Sequence, residues 1–333
     1  MKMAFFETKP FEQQFLENHL KNHETNFFEV PLTDEILDQI QDVEVLSPFI
    51  YSELNRRRIE ALPRLRLVAT RSTGFDHIDL AACQGKNITV SNVPLYGENT
   101  VAEHTFALIL ALSRNIHRSY LRTSEGNFSI DGLKGFDLEG KVLGVVGTGR
   151  IGVHVIKIAR GFGMSVLAND VKPNEILADV MGFTYVSFED LLERSDIISL
   201  HVPLTSGTRH LINAQTLQRM KQGGLLINTS RGGLVDTEAL IRSLDDKWLR
   251  GAGLDVLEGE EFIREDRELL ADKKSGAKKS WPFGDVSLLR REDLVLTPHI
   301  AFFSNEALQR ILDTTLTNIE AFLEGIPKNT IHG

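Results

Sequence analysis

Val142-Leu143-Gly144-Val145-Val146-Gly147-Thr148-Gly149-Arg150-Ile151-Gly152 carries more information about the fold than any other segment of the chain. Five apolar or small residues form a buried strand, and Gly147-Thr148-Gly149-Arg150-Ile151-Gly152 then leads into an amphipathic stretch, Val153–Arg160. Each glycine answers a steric demand. Gly147 permits a tight turn, Gly149 lets a pyrophosphate approach the backbone, and Gly152 lets the helix lie close to the strand. The helix N-terminus adds free N–H groups and positive dipole. Asp170 follows at the end of the next apolar run, Val166–Asn169, where a carboxylate accepts hydrogen bonds from ribose hydroxyls. The same carboxylate repels a 2′-phosphate, so the expected dinucleotide is NAD, with Lys172 nearby to soften that preference.

Working outward, apolar runs alternate with amphipathic segments on both sides of this loop. Downstream lie candidate strands Ile197–Leu200, Leu225–Asn228, Gly253–Val256 and Leu294–Thr297. Upstream lie Met3–Glu7, Phe27–Val30, Val43–Ser47, Leu65–Thr70 and Ile88–Val93. Helical segments separate these at Glu12–Asn22, Thr33–Gln41, Ser52–Ala61 and Ile78–Gln84. Alternation at this spacing predicts βαβ units and two doubly wound parallel sheets. Between the two series, Glu98–Tyr120 is expected to form one long helix, apolar nearly all round at Phe106–Leu112. Such a helix is covered by packing between the two domains or against a second subunit, or else by burial inside one subunit. Leu308, Ile311, Leu312, Thr315, Leu316, Ile319, Phe322 and Leu323 keep helical spacing, and Gly325 and Pro327 end that helix. The tail is too short for a domain and is expected to return to the first one. The expected division is therefore 1–97 plus 300–333 for one domain and 98–299 for the dinucleotide-binding domain.

Composition agrees with this layout and excludes several classes. At 333 residues, 42% hydrophobic and 25% charged, the chain fills about two ordinary cores. A net charge of −9 argues against nucleic-acid binding. The single cysteine, Cys83, cannot form an intrachain disulfide and fits a reducing, cytoplasmic setting. Met1–Glu7 lacks the pattern of a secretory signal, and Phe106–Leu112 is far too short to span a bilayer. No cysteine or histidine spacing points to a metal site. Arg264–Arg291 is charge-rich and reads as a solvated surface insertion.

Ligands of doubly wound sheets bind beyond the carboxyl ends of the strands, so those ends are the place to look for chemistry. His201-Val202-Pro203 follows one strand and Thr229-Ser230-Arg231-Gly232-Gly233 the next. Asp255 and Glu258-Gly259-Glu260 come with the third, and Pro298-His299 follows the fourth. Reduction of a keto acid needs a cation for its carboxylate, a proton donor for the forming alkoxide, and an acid to keep that donor protonated. Arg231 suits the first role through a bidentate pair. His299 suits the second, because an imidazole titrates near neutrality. A neighbouring glutamate suits the third. His201, held by Pro203, is expected to form part of the cofactor wall. His104, inside the apolar helix, is expected to be a packing residue with its hydrogen bonds satisfied.

These residues resemble the D-isomer-specific 2-hydroxyacid dehydrogenases over nearly the whole chain. The resemblance rests on Arg71-Ser72-Thr73-Gly74-Phe75-Asp76-His77-Ile78-Asp79 and on the run from Val93 to His104. It continues through Gly147–Gly152, His201–Pro203, Ile227–Gly232, Leu254-Asp255-Val256 and Thr297-Pro298-His299. It implies a Rossmann dinucleotide-binding domain, a flavodoxin-like substrate domain, NAD as cofactor and a homodimer formed through the long-helix region. It also implies roles. Arg231 binds the substrate carboxylate and carbonyl, Glu260 rather than Glu258 pairs with the imidazole, and His299 donates the proton. Thr73 and Gly74 hold the carboxylate through their N–H groups. Arg150 and Ile151 lie along the pyrophosphate and Asp170 on the ribose. His201, Val202, Pro203, Thr208, Thr229, Ser230, Arg231 and Asp255 line the remaining cofactor cleft.

Substrate choice turns on Ile300-Ala301-Phe302-Phe303, after the histidine. The D-lactate dehydrogenase branch carries aromatics here, and Tyr96 also resembles a residue of that branch. An aromatic wall favours the methyl of pyruvate over a polar hydroxymethyl group. Reduction of pyruvate to D-lactate is thus expected. Hydroxypyruvate, glyoxylate or broader 2-keto-acid reduction is the alternative. A non-catalytic, corepressor-like NAD sensor is the reading from another class.

Overall fold

The computed structural model of the protein describes residues 1–259 and 291–331. Glu260 and the charged stretch up to residue 290 lie outside the described residues. The chain divides into two compact units, Met1–Tyr96 with Ser304–Gly333, and Gly97–Phe303. The C-terminal crossing falls at Ser304, so Phe302 and Phe303 group with His299.

In the first unit, described strands β1 (Lys2–Phe5), β2 (Glu24–Phe27), β3 (Val45–Ser47), β4 (Leu67–Ala69) and β5 (Thr89–Ser91) form a sheet in the order β2-β1-β3-β4-β5. Every pairing is parallel. Side chains alternate between two cores, as the two-residue period of a strand requires. Met3, Phe5, Val45 and Leu67 face Leu16, Leu312, Leu316 and Ile319, whereas Ala4, Phe6, Leu46 and Val68 face Leu32, Ile59 and Cys83. The C-terminal helix, Asn305–Leu323, starts on a Ser304 cap whose hydroxyl accepts from the Ala307 N–H. Each such fully buried aliphatic side chain contributes roughly 1.5–3 kcal/mol.

In the second unit the described strands are β6 (Val142–Val146), β7 (Ser165–Asn169), β8 (Thr184–Tyr185), β9 (Ile197–Leu200), β10 (Leu225–Asn228), β11 (Gly251–Leu254) and β12 (Leu294–Leu296). Their order is β12-β11-β10-β9-β6-β7-β8, again all parallel. The order reverses between β9 and β6, which places the switch point of a Rossmann sheet at the glycine loop. The two doubly wound parallel sheets expected from the alternation are both present. Leu143, Val145, Leu225 and Ile227 face the helices Glu98–Ser113 and Arg150–Gly161, while Val146, Ile198, Leu200 and Leu226 face the opposite core.

Several elements differ from the sequence expectation. β2 lies three residues earlier than expected, on the polar run Glu24–Phe27 at the sheet edge, where only one side needs apolar cover. The phenylalanines after and within it stack instead, Phe27 on Phe5 at 5.2 Å and Phe28 on Phe6 at 4.7 Å. β11 begins two residues early because its glycines lie against the apolar helix, where a Cβ on Gly253 would meet Leu108 Cβ at 3.0 Å. Glu98–Tyr120 is two helices. The first ends at Ser113, Asn115 is left-handed at φ 53°, and a second runs Ile116–Ser124. The Asn115 amide ties the break to the carbonyls of Leu133 and Lys134, and the Phe136 N–H donates to the Ser113 carbonyl. Phe106, Leu108, Ile109 and Leu112 of the first helix are buried within their own unit.

Candidate active site

The glycine loop is built as its spacing demands. Gly147 stands at φ +95°, and a Cβ there would meet the His201 carbonyl at 2.5 Å. A Cβ on Gly152 would lie 2.0 Å from the Gly147 oxygen, so helix and turn close only on glycine. Gly149 is different: nothing stands within 4 Å of its Cβ position, leaving the backbone open where the Arg150–Gly161 helix begins. Asp170 reaches back over the loop. It accepts from the Thr148 N–H at 2.7 Å, the Thr148 hydroxyl at 3.0 Å and the Lys172 N–H at 2.9 Å. Partial burial pushes its carboxyl up, but these hydrogen bonds outweigh that and hold it below the usual aspartate range, so it is ionised. Tyr185 completes the cluster, its hydroxyl 2.8 Å from the Thr148 hydroxyl. Thr148 and Tyr185 gave no signal in the sequence, since Tyr185 belongs to the short edge strand β8. Arg150 is exposed, 3.8 Å from Glu98.

β12, β11, β10 and β9 are neighbours and parallel, so their carboxyl ends share one rim. His201 follows β9. Its Nε2 lies 2.8 Å from the Ser199 hydroxyl, and burial pushes its pKa down to about 3, so the ring is neutral. Val202 offers its carbonyl to the Ser230 hydroxyl at 2.7 Å. The Thr208 hydroxyl is engaged locally, donating to the Pro203 carbonyl at 2.7 Å, and the Thr229 hydroxyl lies 3.0 Å from that of Thr105. These two are placed at the rim with their hydroxyls committed to the protein. Arg231 follows β10. Its guanidinium donates to the Ser230 carbonyl at 2.8 Å, while Asn228 Nδ2 donates to the Arg231 carbonyl at 2.9 Å. Gly232, the residue after it, is obligatory: a Cβ would meet the Leu257 backbone at 2.2 Å.

Asp255 lies one residue beyond β11, not within it, and its side chain is fully buried. It accepts from the Thr297 hydroxyl at 2.5 Å and from the N–H groups of Ile300 and Ala301 at 2.9 and 2.8 Å. Burial pushes its carboxyl up, but the contacts with His104, Thr297 and the two amides keep it below the usual range. His104 is a satisfied residue, as expected, and its partner lies at this site: its Nε2 is 3.0 Å from the Thr297 hydroxyl. His299 is left-handed at φ 55°, with its N–H on the Asp255 carbonyl at 2.8 Å. Phe302 packs edge-on to Phe303 with centroids 5.8 Å apart. Glu258 is paired with Arg209 at 2.9 Å and His210 at 2.8 Å. Glu260 lies outside the described residues.

The first unit has its own rim. The Ser72 hydroxyl donates to the Gly74 carbonyl at 2.6 Å, the Thr73 hydroxyl to the Val93 carbonyl at 2.7 Å, and Asn92 Nδ2 to the Thr73 carbonyl at 2.8 Å. Among the described residues the N–H groups of Thr73 and Gly74 have no protein acceptor, which leaves two donors for an anion. The Tyr96 carbonyl accepts from Arg310. Beneath this loop, Arg71 is fully buried and donates to the carbonyls of Ser47, Phe6 and Glu7, tying three strand ends together. Glu7, at φ 57°, accepts from the Ser52 hydroxyl at 2.5 Å and the Tyr51 N–H at 3.1 Å. Burial, opposed by Ser52 and Arg71, pushes its carboxyl from 4.5 up to about 6. The stability given by protonated Glu7 is thus complete below pH 4.5 and lost as pH rises through about 6. Relative to Glu7→Gln, the native chain is expected to lose about 2 kcal/mol of unfolding free energy between pH 4.5 and 7.5. Urea titrations at the two pH values check this, and a constant difference would show that Glu7 titrates normally.

The D-isomer-specific 2-hydroxyacid dehydrogenase NAD-binding domain model matches residues 106–301. The D-lactate dehydrogenase of Escherichia coli is 36% identical over 329 residues, covering 98% of each chain. The glyoxylate reductase of Korarchaeum cryptofilum is 34% identical, over 100% of this chain and 96% of that one. Among solved structures, the D-lactate dehydrogenase of Aquifex aeolicus complexed with NAD and lactic acid matches with a TM-score of 0.89 and 36% identity, covering 99% of both chains. The chain belongs to the D-isomer-specific 2-hydroxyacid dehydrogenase family. It is an NAD-dependent oxidoreductase acting on D-2-hydroxy acids. The open backbone at Gly149 and the ionised Asp170 beside it fit that cofactor. No helix among the described residues is long and apolar enough to cross a membrane.

Proposed function

We propose that the protein is a D-lactate dehydrogenase that reduces pyruvate, with Arg231, His299 and Glu260 as its catalytic residues. The observation that carries the chemistry is the placement of Arg231, Asp255 and His299 after three adjacent parallel strands, on the rim that also carries the glycine loop. When bound, NADH supplies the hydride that C2 of the keto acid accepts. Gly147–Gly152 with Arg150 and Ile151 hold its pyrophosphate, and Asp170 holds its adenosine ribose. His201, Val202, Pro203, Thr208, Thr229, Ser230 and Asp255 wall the remaining cleft. Arg231 binds the substrate carboxylate and carbonyl. His299 gives its proton to the forming alkoxide oxygen, and Glu260 keeps the imidazole charged until then. Neutral His201 takes no part in the proton transfer.

Pyruvate is favoured by Phe302, three residues after His299 and braced by Phe303, with Tyr96 as a second aromatic. The D-lactate dehydrogenases of Escherichia coli and Aquifex aeolicus support the same substrate. The glyoxylate reductase relative favours a second reading, a reductase of smaller keto acids. Ile116, Tyr120, Leu121, Phe128 and Ile130 are all more than half exposed within one segment, which supports a homodimer through that region. The lone Cys83 is buried and its thiol pushed up to about 11 by burial, with Asp79 adding to the shift, in keeping with a reducing cytoplasm. NADH oxidation against pyruvate, hydroxypyruvate, glyoxylate, 2-ketobutyrate and phenylpyruvate tests the substrate. Pyruvate is expected to lead by about tenfold in kcat/KM, the worth of one well-matched apolar contact. Hydroxypyruvate or glyoxylate leading overturns the assignment, and NADH binding without turnover of any acid points to a sensor.

A further inference from the structure

We propose that His104 is a positioning residue for the proton-transfer end of the site, acting on His299 through Thr297 and Asp255; the link to catalysis rests on His299 being the proton donor. The argument starts from hydrogen counting. Asp255 is ionised and can only accept, so the Thr297 hydroxyl, 2.5 Å away, gives it its one proton. Only lone pairs then remain on Thr297 Oγ1 for His104 Nε2 at 3.0 Å, so that nitrogen carries a hydrogen and donates. The same Nε2 lies 3.4 Å from Asp255 Oδ1, which makes the donor shared between hydroxyl and carboxylate. The tautomer of His104 is fixed by its partners.

The carboxylate so anchored grips both flanks of His299. Thr297 precedes it, and the amides of Ile300 and Ala301 follow it. The backbone carbonyl of Asp255 accepts the N–H of His299 itself. His299 needs this support, because at φ 55° it holds a conformation that residues with a Cβ resist. His104 comes from a different element, the Glu98–Ser113 helix, whose position is set by the burial of Val101, Ala102, Thr105 and Phe106. It therefore references the catalytic turn to a rigid part of the core. Without it, the buried Asp255 carboxylate loses a donor, and the remaining bonds to the turn must carry the whole constraint.

The test compares His104→Ala with His104→Gln, whose amide restores an N–H donor at nearly the same reach. Hydrogen–deuterium exchange of the peptide spanning 295–303 is read without cofactor, alongside kcat, pyruvate KM and the Kd for NADH. In His104→Ala the amides of Ile300 and Ala301 are expected to exchange about tenfold faster, and kcat to fall about ten- to a hundredfold. KM and NADH affinity should move less than about threefold, and His104→Gln should return both exchange and kcat to within about threefold of native. Unchanged exchange in His104→Ala overturns the proposal, as does a loss that Gln does not rescue. Faster exchange with kcat intact overturns the positioning role as well, whereas a loss of less than about tenfold in His299→Asn overturns the role of His299 on which it rests.

Discussion

Replacing His299 with asparagine is expected to lower kcat for pyruvate reduction about a thousandfold while leaving the Kd for NADH within about threefold. The choice of asparagine matters because two effects coincide at this position. The side chain is the proposed proton donor, and the backbone is left-handed at φ 55°. Histidine and asparagine both populate that region far more readily than β-branched residues. His299→Asn therefore removes the chemistry with little backbone cost, within about 0.5 kcal/mol of native stability. His299→Val adds strain of about 1–3 kcal/mol on top of the same chemical loss. Stopped-flow reduction of pyruvate with denaturant titration of both variants separates the two contributions. Loss of less than about tenfold in His299→Asn would mean that another group or water delivers the proton. Equal loss in the two variants, with stability differing as expected, would place the effect in the imidazole alone.

How much of this was legible beforehand depended on whether a residue's role was local. The glycine loop was legible to the atom, because the demands on Gly147 and Gly152 are met by neighbours in the same βα turn. Arg231 and His299 were legible as polar residues at strand ends, since a parallel sheet brings those ends together whatever lies between. Hidden from the sequence were partnerships made across the sheet. His104 and Asp255 are far apart in the chain, and nothing in their spacing marks them as partners, yet Thr297 joins them. Thr148 holds Asp170, and Tyr185 reaches the Thr148 hydroxyl, for the same reason. Glu258 and Glu260 were equivalent by spacing; Glu258 is paired with Arg209 and His210, and Glu260 lies outside the described residues. Among the elements, Asn115 defeated the helical periodicity: residues either side keep the spacing, and a single left-handed residue divides the helix. β2 was misplaced because an edge strand does not require the apolar pattern that marks an inner one.

Arg231 is expected to show a loss of similar size to His299 but in a different parameter. Its guanidinium is oriented by the Ser230 carbonyl, and its backbone is tied to Asn228, so the planar fork is held before substrate arrives. A fork-to-carboxylate pair supplies two charge-assisted hydrogen bonds, and its loss leaves the carboxylate desolvated with one fewer cation. Arg231→Gln should therefore lose about 10⁴-fold in kcat/KM for pyruvate, and Arg231→Lys about 10²-fold, because an ammonium keeps the charge without the fork. Methyl pyruvate, which has the same keto group and no carboxylate, isolates the interaction. Native protein should prefer pyruvate strongly, and Arg231→Gln should erase most of that preference by losing pyruvate turnover and not by gaining turnover of the ester. Should the preference persist in Arg231→Gln, the carboxylate must be held chiefly by other donors. Arg231 would then act on the carbonyl oxygen, and its loss would appear equally with both substrates.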